Sequence, residues 1–462
     1  MATKKLYTVT DLGPGDGGKG GIIHKISSMR RAHTIIKVGG AQGSHGVQTS
    51  AGDRFAFSQW GCGTFEGART HLSSRFVVTP EGILNEGTQL QFACGLDGVF
   101  GLLTIDEDAL CATPFHGIAS RIKELARGDN PRGTIGTGVG EAYRQAERYP
   151  DTAVRARDLS GSCLRDQIAA IREYVRRDLV HIIEGSFLED DRDVVQEELS
   201  LLGDDGFLNY VVSRFRETAE RVYIVDQDYL RREILNRDGV VVVESSHGVL
   251  TDRYYGFHPH VSAIRTLPQF TWAMIEEAGY SGEVIKIGVT RAYQIRHGAG
   301  PMPTADPAMS EQLLPGSNKV ENRYQGKARV GPLDLVLLRY AIEACGGTKA
   351  FDGLAVTWFD QIQKNKIWSL SDRYSGADDF TYFTPSGELR VRHGEDLSRL
   401  SFQECLGHEL QNCVPEIFSF DIAPAADRDI LYDLCVGILG QKLGIPVRLV
   451  SFGPTERDKL CR

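Results

Sequence analysis

Asp16, Lys19 and His45 are the side chains best suited by type and spacing to do chemistry, and each is set in a run of glycine. Leu6–Leu12 reads as a strand. Gly13-Pro14-Gly15-Asp16-Gly17-Gly18-Lys19-Gly20-Gly21 follows, and a helical pattern begins at Ile22. Glycines let the backbone turn tightly and present N–H groups to an anion. The N-terminus of the next helix adds positive partial charge, and Lys19 adds a full one. These features make a phosphate cradle. A carboxylate inside it repels phosphate unless it holds a metal or moves a proton, so Asp16 points to chemistry rather than storage. A second cluster, Gly39-Gly40-Ala41-Gln42-Gly43-Ser44-His45-Gly46, follows the second strand. The first βαβ unit brings the two loops side by side, so Asp16 and His45 form a base and an acid flanking one reacting group.

Gly13-x-x-x-x-Gly18-Lys19 fits the first seven positions of a P-loop. The eighth, whose hydroxyl would bind magnesium, is Gly20. Three further loops are rich in glycine or in basic residues: Arg132 to Tyr143 with Thr134, Arg296 to Thr304, and Asn322 to Gly331 with Arg323, Lys327 and Arg329. Arginine grips carboxylates bidentately, so the last could hold a substrate carboxylate; the other reading is a solvated surface loop. Asp360 ends the strand Gly353–Phe359. Its two oxygens match guanine N1–H and N2–H₂, or it caps a helix.

These loops need a scaffold. Strands are expected at Thr34–Val38, Leu179–Ile183, Arg221–Val225, Gly239–Glu244, Val284–Val289, Leu354–Trp358 and Val447–Ser451. Most lack polar alternation, as in strands covered on both faces. Helical patterns at Leu164–Arg177, Asp190–Leu202, Gly206–Thr218, Leu333–Ala344 and Asp427–Leu443 lie between them. The alternation predicts an α/β fold: a large, mainly parallel central sheet with helices on both faces. Ligands then bind at the carboxyl ends of the strands, where Glu244 to Gly248, Asp360 and Ser451 to Pro454 lie. No clean domain boundary shows. Residues 1–462 are read as one domain, with insertions near 85–180 and 296–330.

The 462 residues are 41% hydrophobic and 24% charged, with a formal net charge of -9. No basic block suggests a nucleic-acid partner, and no apolar run reaches membrane-spanning length. Nine scattered cysteines without a Cys-x-x-Cys pair are expected as reduced thiols in a cytoplasmic protein.

The order of these motifs resembles the adenylosuccinate synthetases. Gly15 to Gly20 is similar to their Gly-Asp-Glu-Gly-Lys-Gly start, and Gly43-Ser44-His45 to their Ala-Gly-His. Thr79-Pro80, Gly133 to Tyr143, Arg296 to Thr304, Arg329 to Asp334, Thr357 to Asp360 and Ser451 to Pro454 follow in family order. The resemblance implies a P-loop-like GTP-binding core with inserted subdomains. It implies a ligase joining L-aspartate to C6 of a 6-oxopurine nucleotide, with GTP as co-substrate and Mg2+ as cofactor. Asp16 would take the purine N1 proton so that O6 attacks the γ-phosphorus, and His45 would act as acid. Lys19, Gly15, Gly17, Gly18 and Gly20 would hold phosphates, while Asp360, Ser451, Gly453 and Pro454 hold the guanine end. The metal would sit on Asp16 and the carbonyl of Ser44. Lys327, Arg329 and Arg323 would bind the amino acid. The family is a homodimer in which an Arg crosses to the other subunit's nucleotide, and Arg148 is the nearest match.

The departures cluster at the acceptor. The family's Glu after the catalytic Asp is Gly17 here. Its phosphate-contacting Asn is Gln42, one phosphate Thr beside Thr134 is Ile135, another is Ser262, and a purine-contacting Gln is His247. The guanine-reading Thr-Lys-Leu-Asp is Thr357-Trp358-Phe359-Asp360. The acceptor is therefore expected to be IMP or a relative such as dGMP, as in the phage diaminopurine branch. Two other classes stay open: a non-catalytic GTP-binding paralogue, and a generic P-loop NTPase.

Overall fold

The computed structural model describes residues 4–185, 187–315, 321–422 and 427–462. Its centre is β1 (Lys4–Asp11), flanked by Gly239–Ser245 on one side and Glu283–Arg291 on the other. Beyond Gly239–Ser245 lie β2 (Thr34–Gly40), Arg69–Val78, Leu103–Asp106 and Tyr223–Val225. Beyond Glu283–Arg291 lie Gly353–Thr357, Val447–Ser451 and Lys459–Cys461. With Leu110–Cys111 beside Arg69–Val78, the sheet has eleven strands. Every pairing in it is parallel except the last, Val447–Ser451 with Lys459–Cys461.

The central strands are apolar without alternation because both faces are covered. Tyr7, Val9, Ile35 and Val242 enter one hydrophobic cluster, whereas Leu6, Ile36, Val38, Val241 and Val243 enter another. A third cluster gathers the C-terminal half around Leu354, Val356, Trp368 and Val450.

Two strand expectations fail. Leu179–Ile183 is the last turn of the helix Leu164–Ile183. Leu164, Ile168, Ile171, Val175 and Leu179 are its buried residues, and steps of three and four put them on one helical face. The helix Asp205–Arg221 consumes the start of the expected Arg221–Val225 strand and leaves Tyr223–Val225. His45, expected in a glycine-rich loop, opens the short strand His45–Gln48, paired antiparallel with Arg54–Phe57. All nine cysteines are free thiols.

Candidate active site

The loop after β1 is built around a carboxylate that the sequence reading passed over. Asp11, buried at the strand's end, accepts Gly13 N–H at 2.9 Å, Gly17 N–H at 2.7 Å and Lys19 Nζ at 3.2 Å. Lys19 opens the helix α1 (Lys19–Arg30) and also donates to the His247 carbonyl. Asp16 adopts a left-handed backbone, φ 59°, which a non-glycine residue takes only when its surroundings enforce it. Arg291 Nε donates to its carbonyl at 2.5 Å, and His297 Nε2 meets its carboxylate. Thr357 Oγ1 donates to the Gly17 carbonyl at 2.6 Å.

Gly20 explains the missing P-loop hydroxyl. A Cβ there would lie 2.7 Å from the Gly46 carbonyl oxygen and 3.0 Å from His45 Cβ. The start of α1 thus packs directly on the strand that carries His45, and no side chain fits between them.

His45 is oriented by a buried acid. Its Nδ1 lies 2.7 Å from Glu244 Oε1, and because a carboxylate only accepts, Nδ1 carries the proton. Lys37 Nζ reaches the same oxygen at 2.9 Å, and Cys62 N–H donates to Oε2 at 2.9 Å. Burial opposes the charge on Glu244, yet Lys37 and His45 hold it well below the ordinary carboxylate range. Burial pulls His45 below its ordinary value, against the pull of Glu244. His45, Cys62 and Glu244 are close enough to share a metal ion. A cation there would face the Lys37 ammonium on the same carboxylate, so the set serves better as a hydrogen-bonded network.

The acceptor candidates fall in the surrounding loops. His247, at φ 60°, has a buried Nε2, and Gln42 a buried Oε1, neither with a partner among the described residues. Burial, then Lys19 and His45, pull His247 down to about 4, while Asp11 and Asp16 act on it in the opposite sense. Thr134 Oγ1 shares a hydrogen bond with Ser120 at 3.1 Å and accepts Gly136 N–H at 3.2 Å. Ser262 Oγ accepts Ile264 N–H at 3.4 Å. Ser44 is exposed. Arg148 is exposed at the end of the helix Val139–Arg148, its guanidinium 5.3 Å from the Tyr149 ring.

Two arginines, Arg296 buried and Arg329 half-buried, sit beside Asp16's partner His297. Arg296 donates to the carbonyls of Ala299 and His260, both at 3.0 Å. Arg329 donates to those of Gly298 and Gly300, both at 2.8 Å. Neither has a carboxylate partner among the described residues, and burial together with Arg329 pushes Arg296 down to about 9. The other two residues of this candidate set are placed differently. Arg323 pairs with Asp191 at 2.7 Å, and Lys327 lies 3.7 Å from Glu321.

Asp360, Gly453 and Pro454 line one cavity of about 520 Å³, with Phe452 and Arg428. Ser451 Oγ donates to the Gly453 carbonyl at 2.9 Å. Asp360 does not end the strand as expected. The strand stops at Thr357, Trp358 turns left-handed at φ 61°, and Asp360 lies in the first turn of the helix Phe359–Asn365. Trp358 stacks on Arg291, whose guanidinium carbon is 4.3 Å from the ring. Lys459 Nζ donates to the carbonyls of Gly453, Pro454 and Thr455 and so braces this loop.

Oxygen donors suit a hard divalent cation. The Asp16 carboxylate and the Ser44 carbonyl are of that type, so the donor chemistry fits magnesium.

Asp11, Lys37 and Arg291 escaped the sequence reading, and His297 entered it only as part of the Arg296 to Thr304 loop. Asp11 and Lys37 each carried one signal, a single charge in the otherwise uncharged runs Leu6–Leu12 and Thr34–Gly40. Glu244 was visible only as part of a polar strand end.

The family model described as adenylosuccinate synthetase matches residues 9–460. The chain is 25% identical over 460 residues to the adenylosuccinate synthetase of Caldanaerobacter subterraneus subsp. tengcongensis, covering 96% of each chain. It is 27% identical over 473 residues to that of Neisseria meningitidis, covering 100% of this chain and 98% of the other. The fold is similar to the fully ligated adenylosuccinate synthetase of Plasmodium falciparum, with TM-score 0.73, 17% identity and full coverage of both chains. It is also similar to the succinoaminodeoxyadenylate synthetase of cyanophage S-2L bound to dGMP and dATP. There the TM-score is 0.55 and the identity 14%, over 99% of this chain and 95% of the other.

Proposed function

The chain belongs to the adenylosuccinate synthetase family, and on that premise we propose that it joins L-aspartate to C6 of a 6-oxopurine nucleotide through a 6-phosphoryl intermediate. As a family member it is a GTP-dependent ligase that forms a carbon–nitrogen bond. The observation that carries the finer reading is the close packing of the Asp16–Lys19 loop on the strand of His45, with Gly20 against His45 and Gly46 and Lys19 donating to the His247 carbonyl.

In this reading Asp16 accepts the N1 proton, and the purine O6 attacks the γ-phosphorus of GTP. His45, its Nδ1–H held by Glu244, takes a second proton on Nε2 as phosphate charge arrives beside it and donates that Nε2–H to the transferring phosphoryl group. The loop amides of Gly15, Gly17, Gly18 and Gly20, with Lys19, hold the phosphates, since phosphoryl transfer is mainly positioning and charge neutralisation. The Asp16 carboxylate and the Ser44 carbonyl would hold magnesium, which would supply neutralisation of phosphate charge. The amine of aspartate then displaces phosphate from C6. Arg296, buried, and Arg329, half-buried, have no carboxylate partner among the described residues and suit the two carboxylates of that amino acid. The protein acts as a homodimer, and Arg148 reaches the partner's nucleotide.

The changed acceptor positions, Gln42, Ile135, His247 and Ser262, favour an acceptor other than IMP, with dGMP one option. Losing one donor to a phosphate oxygen costs about 1.5–3 kcal/mol, enough to reorder substrates. Phosphate release measured over IMP, dGMP and related nucleotides, each with GTP and aspartate, tests this. Release that requires both aspartate and a 6-oxopurine nucleotide supports the ligase reading, and release with none of the panel overturns it. Full turnover on IMP with none on dGMP overturns the altered-acceptor reading.

A further inference from the structure

A buried carboxylate at the base of a phosphate cradle needs a reason. Asp11 has a fully buried side chain, and its oxygens take three donors, two loop amides and the Lys19 ammonium. Lys19 is itself 2% exposed and donates as well to the His247 carbonyl. Both ends of the loop and its cation are therefore tied to one group. A negative charge here weakens anion binding unless it gains more by aiming the donors than it loses by repulsion.

The place of that carboxylate is the second observation. A Cβ built on Gly17 would lie 2.8 Å from each of Asp11 Cγ, Oδ1 and Oδ2. Gly17 lies outside the left-handed region, so its backbone conformation does not demand glycine. The occupied volume does. The family start carries Glu at this position. The carboxylate missing at position 17 thus has a counterpart at position 11, occupying the space where a side chain at 17 would begin.

We propose that Asp11 is a positioning residue of the phosphate loop, supplying from the end of β1 the carboxylate that other members carry after the catalytic aspartate. Through it the Gly13 and Gly17 amides keep their direction and the Lys19 ammonium keeps its place. This role rests on the loop's being the GTP triphosphate site.

The test measures GTP binding by titration, GTP KM, kcat and thermal melting for the full chain and four variants. These are Asp11→Ala, Asp11→Asn, Gly17→Glu and the double variant Asp11→Ala/Gly17→Glu. Each single change is expected to weaken GTP binding about tenfold or more, the scale of one lost charged hydrogen bond. The double variant, with the carboxylate moved to position 17 and its volume freed, recovers most of the loss. A double variant as weak as the weaker single change overturns the proposal. So does an Asp11→Ala or Asp11→Asn protein whose melting falls while its KM for GTP stays at the wild-type value. Wild-type protein that binds no GTP refutes the reading of the loop instead, which keeps the two failures apart.

Discussion

His45 Nδ1 and Lys37 Nζ meet on a single oxygen of Glu244, at 2.7 Å and 2.9 Å. The imidazole is thereby held in one tautomer by an acid whose charge is shared with a buried lysine. Glu244→Gln keeps the shape and removes the charge. We expect kcat to fall about 10²–10⁴-fold, the span of general acid catalysis, while KM for GTP changes little. Steady-state kinetics check this, and a Glu244→Gln enzyme with wild-type kcat would show that His45 needs no orienting partner.

Gly20→Ser would restore the hydroxyl of an ordinary P-loop. Its Cβ would enter the space 2.7 Å from the Gly46 carbonyl and push the His45 strand away from α1. Overpacking of this kind costs about 1–3 kcal/mol. Urea unfolding should show that loss together with a drop in kcat; an unchanged midpoint counts against the packing argument.

Asp360→Asn exchanges an acceptor for a donor on one side of the base. Guanine loses a partner for its N1–H and N2–H₂ edge, whereas a 2-oxo base gains one. KM for GTP should rise about tenfold or more, and KM for XTP should fall below it. If GTP remains the better donor, Asp360 does not read the base.

His71 and His116 are both buried and neutral, pushed down to about 3 and about 4 by burial. In the unfolded chain each titrates near 6.5. The unfolded state therefore takes up more protons as pH falls from that value. Stability declines with each such histidine until the folded value is reached, then levels off. At pH 5 the loss is about 2 kcal/mol per group. Denaturant melts near neutrality and at about pH 5 should show it, and His71→Leu should remove part of the pH dependence. Equal pH dependence in the variant and the wild type would refute the assignment.

The parallel sheet was legible because strands buried on both faces leave unbroken apolar runs. The tight turn between β1 and α1 was legible from its run of glycines around Lys19. The exceptions have physical causes. Leu179–Ile183 is apolar enough for a strand, and only its phase with Ile171 and Val175 marks it as helix. Asp11 and Lys37 sit in apolar strands, where a charge reads as noise until its partner is known. Lys37 finds Glu244 across 207 residues and His297 finds Asp16 across 281, distances over which one sequence carries no pairing signal. Trp358 could be seen to differ from the family's lysine, but its stacking on Arg291 could not be foreseen.

β1 is made before both its neighbours in the sheet, which come from residues 239–291. The loop that follows β1 is closed by Thr357 on Gly17, a contact spanning 340 residues. At about 5–20 residues per second, a ribosome needs about 17–70 seconds to make the chain between them. Through that interval the nascent cradle has its glycines and its lysine but not the walls that aim them. A chain that stops short of residue 357 lacks the hydroxyl that closes the loop on Gly17, so that contact reports that synthesis has passed this point.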